Sequence, residues 1–97
     1  MKVRILDQAI EDLITGFHFY EKRDSGLGNY FLDCLFADID SLERFGGVHR
    51  IVYRNFHRLL SERFPFAVYY TKNENLVLVR AVVDCRRKPS WIKDHLN

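Results

Sequence analysis

The sequence has 97 residues, 47% of them hydrophobic and 29% charged, with a formal net charge of +2. This is the composition of a folded globular chain, short enough that residues 1–97 are expected to form one domain and to bury only about 60–65% of their unfolded surface. No apolar run approaches the roughly 20 residues of a membrane-spanning helix, and the first residues lack the apolar core and small-residue cleavage site of a signal peptide, so the expected compartment is the cytoplasm, with no membrane partner.

The charge is unevenly spread. Residues 1–49 carry five Lys/Arg against nine Asp/Glu, and residues 50–97 carry ten against four. A basic second half fits an acidic partner, either nucleic acid or an acidic protein segment. Cys34 and Cys85 fit no metal-ligand spacing and read as free thiols. No motif calls for a cofactor.

Taken in order, residues 2–6 alternate in character and predict a short half-buried strand. Asp7 stands where a helix N-cap would stand. A helix is predicted from Gln8 to Arg23, with Ala9, Ile10, Leu13, Ile14, Phe17 and Tyr20 inward and Glu11, Asp12, Lys22 and Arg23 in water. Gly16 is its weak point, costing about 1 kcal/mol relative to Ala. Asp24-Ser25-Gly26-Leu27-Gly28 breaks that helix, and a second runs from Asn29 to Phe45 on a stripe of Phe31, Leu35, Ile39 and Leu42. Gly46-Gly47 ends it. Two amphipathic helices joined by a short glycine turn make an antiparallel hairpin.

The second half predicts the sheet that this hairpin covers. Residues 49–54, 57–63 and 64–71 read as strands, with Asn55-Phe56 and Lys72-Asn73-Glu74-Asn75 as turns. Leu76 to Asp84 is a valine-rich run broken only by Arg80, and reads as a central strand buried on both faces. Tyr69 and Tyr70 are expected on opposite faces, one in the core and one exposed. The strand from Leu76 delivers Cys85-Arg86-Arg87-Lys88-Pro89-Ser90-Trp91 to its own end, and Ser90 to Leu96 closes the chain as a short helix with Trp91 and Leu96 inward. The expected class is α+β: an N-terminal strand, an antiparallel helical hairpin packed on a largely antiparallel sheet, and a short C-terminal helix.

This order, together with Phe19-Tyr20-Glu21, Gly26-Leu27-Gly28, His57-Arg58-Leu59, the run from Phe64 to Tyr70 and Arg86-Arg87-Lys88-Pro89-Ser90-Trp91, resembles the RelE/ParE superfamily of toxins. These are the toxin halves of type II toxin–antitoxin modules. The resemblance implies a cognate antitoxin as partner and a hetero-oligomer with it. It also implies one of two activities: ParE-like inhibition of DNA gyrase, or RelE-like cleavage of mRNA on the ribosome.

Metal-free RNA cleavage needs a base, an acid and a cation to stabilise the phosphorane. Nuclease members carry an arginine where this chain has Phe66, and often a tyrosine where it has Trp91. The double arginine followed by Pro and Trp is ParE-like. The candidate nuclease set is His57, Arg58, Arg63 and Arg86, with histidine suited to proton transfer near neutral pH. The candidate target-binding set is Arg58, Arg63, Arg86, Arg87, Lys88 and Trp91. A toxin that has lost its activity and retains only antitoxin binding is the third reading.

Overall fold

A computed structural model describes residues 1–97. The elements follow as β1 (Lys2–Ile5), α1 (Asp7–Arg23), α2 (Leu27–Phe45), β2 (Ile51–Tyr53), β3 (Phe56–Leu60), β4 (Phe66–Asn73), β5 (Leu76–Asp84) and α3 (Pro89–Leu96). The sheet order is β1-β5-β4-β3-β2, with β1 parallel to β5 and every other pairing antiparallel. The α+β class with a helical hairpin on a largely antiparallel sheet is what the periodicities predict. No helix is long and apolar enough to cross a membrane.

The hairpin is held by close packing where it has no side chain to offer. A Cβ on Gly16 would lie 2.5 Å from Cζ of Phe31, and one on Gly28 would lie 2.7 Å from the carbonyl oxygen of Phe17. The Glu21 carboxylate accepts the N–H groups of Gly26 and Gly28, at 3.0 and 2.9 Å, and so caps the start of α2. That bond explains why α2 begins at Leu27, two residues earlier than the sequence predicts. On α1 the N-cap is Leu6, and Asp7 makes no capping bond. Its carboxylate lies inside the first turn, where negative charge still suits the helix dipole.

The stripe Phe31, Leu35, Ile39 and Leu42 is fully buried against the sheet. On α1 the buried positions are Ala9, Leu13, Gly16 and Tyr20. Phe17 is only half-buried, while Ile10 and Ile14 are exposed, along with Phe45 at the end of α2. The two helices cover one side of the sheet only, which leaves the outer flank of α1 in water. Chain reversal after α2 uses Gly47, at φ +98°, rather than Gly46. Arg54 and Glu74, both with positive φ, form the tight turns between β2 and β3 and between β4 and β5.

Strand β5 carries the largest departure. Its partners step from Val79↔Tyr70 to Ala81↔Tyr69, so Arg80 is the extra residue of a β-bulge. Before the bulge, Val77 and Val79 face the helical hairpin. After it, Val82 faces the hairpin while Ala81 and Val83 join Phe56, Ala67 and Tyr69 in a second cluster on the opposite face. Arg80 itself is half-buried and donates from Nε to Thr71 Oγ1 at 3.1 Å. Ile92 and Leu96 of α3, with Tyr53, cover that second cluster. Tyr69 and Tyr70 do face opposite ways, but both are buried, at 4% and 0% exposure, because α3 closes the face that the sequence leaves open.

Candidate target-binding site

The end of β5 delivers its charged run into two depressions flanking α3. The first is a cleft of about 370 Å³ between α1 and α3, floored by Phe66, Val82 and Val83. Beyond Ile5↔Val79 the outer edge of β5 has no strand beside it. Asp12 takes over there: its Oδ2 accepts the Val82 N–H at 2.9 Å, and its Oδ1 lies 2.8 Å from Nε2 of His95 on α3. One carboxylate thus ties α1, β5 and α3 together. Burial pushes its pKa up, opposed by the Val82 N–H and by His95. Asp12 was expected in water, yet it is a half-buried pin.

Trp91 was expected to pack inward, but it is 37% exposed on the rim of this cleft. Its ring stacks on His95, with centroids 4.7 Å apart, and the Arg87 guanidinium lies 4.2 Å from its centroid. Arg86 is differently engaged. It donates from Nε and Nη2 to the two oxygens of Asp84, at 2.9 and 2.7 Å. Those bonds, opposed by burial, hold the Asp84 carboxyl below its usual range. Arg87, and not Arg86, is therefore the arginine of the pair that is free of a carboxylate partner. Lys88 is exposed at the N-cap of α3.

The second depression, about 270 Å³, lies under α3 on the sheet face and is lined by Arg58, Tyr69, Cys85, Arg87 and Lys93 among others. Arg58 and Arg87 of the predicted set meet here. Burial pushes the Cys85 thiol up.

The other predicted residues lie apart. His57 and Arg58 are consecutive on β3, so their side chains leave opposite faces. His57 stacks on Tyr70 with centroids 4.8 Å apart, and its Nδ1 donates to the His49 carbonyl at 2.7 Å. The Tyr70 oxygen accepts the Gly47 N–H at 2.9 Å and shares a hydrogen bond of 2.6 Å with Nδ1 of His49. Burial, with His57 nearby, lowers the His49 pKa. These histidines brace the junction after α2. Arg63 is exposed in the connection between β3 and β4. Histidine, arginines and tryptophan are not gathered around one point, and no set of three or more His, Cys, Asp or Glu forms a metal cluster.

Sequence reasoning missed Asp12, Tyr69 and Lys93 as site residues. Asp12 and His95 are 83 positions apart, and no local pattern links them. Lys93 was legible as one turn beyond Pro89 on the helix carrying Trp91.

No family model and no curated protein matches the sequence. Among solved structures, a chain described as "Chromosomal ParDE TA system from P. aeruginosa" superposes with a TM-score of 0.73 at 13% identity, covering 87% of this chain and 95% of that one. The arrangement of hairpin, sheet and C-terminal helix described above is therefore a ParE-like fold.

Proposed function

We propose that the chain is the toxin half of a type II toxin–antitoxin module, a ParE-like binding inhibitor of DNA gyrase held inactive by a cognate antitoxin in a hetero-oligomer. The observation that carries this reading is the likeness to a chain of a ParDE toxin–antitoxin system over nearly the full length of both. Binding rather than catalysis is favoured by the scatter of the nuclease candidates. His57 is braced against Tyr70 on one face of the sheet, Arg58 lies on the other, and Arg86 is spent on Asp84. Phe66 and Trp91 supply neither a cation nor a proton. Target contact is assigned to the basic rim of Arg87, Lys88 and Trp91, with Arg58 beneath and Arg86 beside it, and to Arg63 as a separate exposed contact in the connection between β3 and β4.

The test is a pair of assays on purified protein, one following gyrase supercoiling and one mapping mRNA cleavage on translating ribosomes. Supercoiling is expected to be inhibited, and relieved more by Arg87→Ala than by Arg86→Ala. Codon-phased cuts lost in His57→Ala or Arg63→Ala, with gyrase untouched, would replace this reading with the ribonuclease. Silence in both assays with antitoxin binding retained would identify a toxin that has lost its activity.

A further inference from the structure

The outward face of α1 has a charge order that complements its own reverse. Asp7, Glu11, Ile14, His18 and Lys22 are all exposed, and steps of three and four residues place them on one stripe of the helix. The buried positions are Ala9, Leu13, Gly16 and Tyr20, so the stripe points away from the sheet. Its first two members are acidic and its last two basic, with isoleucine between them. Ile14 is 51% exposed, and Ile10, one turn earlier, is 42% exposed. The two ion pairs of the chain, Arg86–Asp84 and His95–Asp12, use none of the four polar groups.

We propose that this stripe is a homodimer interface, in which α1 packs antiparallel against α1 of a second copy of the chain. A twofold axis between positions 14 and 15 sets Asp7 of one copy opposite Lys22 of the other, and Glu11 opposite His18. Each pair occurs twice, because a twofold interface is isologous. Ile14 meets its counterpart at the axis, with Ile10 of each copy beside it. The helix dipole accounts for acid at the start of a helix and base at its end. It does not account for two exposed isoleucines in between, nor for like charges one turn apart. Asp7 and Glu11 stand at i and i+4, a spacing that destabilises an isolated helix when the charges match. An antiparallel copy offers each carboxylate a donor and removes that conflict. A nucleic acid, or a protein segment of one charge sign, would be repelled by one end of the stripe. Helix α1 has 17 residues, a length of about 25 Å. A helix pair of that length lies at the small end of specific interfaces, so the dimer is expected to dissociate at about 10–100 μM. The inference goes beyond the proposed function and does not depend on it.

Sedimentation velocity of the purified full chain is followed across a concentration series that passes well above this range, in low and in high salt. A reversible monomer–dimer equilibrium is expected, weakened by salt because exposed charge pairs are screened. Ile14→Glu is expected to weaken the dimer at least about tenfold, because two carboxylates would face each other at the axis. Two charge variants test the antiparallel register. Asp7→Lys with Glu11→Lys makes the stripe basic throughout, and His18→Glu with Lys22→Glu makes it acidic throughout. Each variant alone is expected to be monomeric, and an equimolar mixture of the two is expected to recover the dimer. All the substituted positions are exposed, so the variants are expected to fold, which circular dichroism checks. A monomer throughout the series, which would leave the stripe to a different partner, overturns the inference. So does a dimer indifferent to Ile14→Glu, or a mixture of the charge variants that stays monomeric. None of these readouts involves gyrase or an antitoxin, so this inference and the functional reading fail separately.

Discussion

Asp12 on α1 and His95 on α3 meet at 2.8 Å although 83 positions separate them, and the same carboxylate caps the free edge of β5 at Val82. Removing it strands a half-buried backbone N–H and releases α3 from α1. Asp12→Ala is expected to cost about 1–3 kcal/mol, the range for leaving a buried donor unsatisfied. Asp12→Asn, which retains an acceptor, is expected to cost less. Urea denaturation of the two variants checks both the size and the order. A loss under about half a kcal/mol for Asp12→Ala, the range of ordinary surface changes, would show that water replaces the carboxylate.

Gly16 invites the opposite of the usual helix argument. Alanine gains about 1 kcal/mol in helix propensity over glycine. Here the added methyl would meet the Phe31 ring at 2.5 Å, and Phe31 is fully buried. Overpacking costs about 1–3 kcal/mol, so Gly16→Ala is expected to be neutral at best and destabilising by up to about 2 kcal/mol once the propensity gain is offset. A rise in the thermal midpoint would show that the hairpin has room to open.

Leu35 sits in the middle of the α2 stripe with no exposure. Leu35→Ala is expected to cost about 2–5 kcal/mol, as large-to-small changes in cores do, and to do so without altering hairpin register. The denaturant midpoint checks the first expectation. Unchanged amide resonances of Gly26 and Gly28 at the start of α2 under native conditions check the second.

The junction after α2 makes stability depend on pH. Burial, aided by the neighbouring His57, lowers the His49 pKa below 6.5. Between the folded and unfolded values the unfolded chain therefore holds more protons, and stability rises with pH. This contribution is fully present above pH 6.5, and stability falls as pH drops from 6.5 through the folded pKa. His49→Asn is expected to flatten the profile in that window, measured as the urea midpoint at stepped pH. An unchanged slope would assign the titration elsewhere.

What was legible in the sequence was what repeats. The stripes of the two helices carry their own periodicity and the polar break before Leu76 marks a hairpin, so element order and class followed from them, although the turn itself is only Glu74-Asn75, with Lys72 and Asn73 paired in β4. Tyr69 shows where that logic stops. Its burial depends on α3, a helix with no buried residue of its own, whose docking is set by long-range bonds from Gln8, Asp12 and Tyr53. His57-Arg58 misled for a related reason. Adjacency in a strand looks like a constellation in one dimension and is a separation in three. Arg80 was visible as the single break in an apolar run, but a charged residue in a strand does not by itself announce a bulge.

That bulge gives β5 one residue to spare. Val79 and Ala81, on either side of it, pair with Tyr70 and Tyr69, which are consecutive on β4. Deleting Arg80 would close the ladder without a gap and leave Val82 toward the helical hairpin and Ala81 and Val83 toward α3. Deleting a residue after the bulge would instead put Arg80 opposite Tyr69, in the apolar cluster under α3. The register of this one strand thus works like a reading frame with a single silent position.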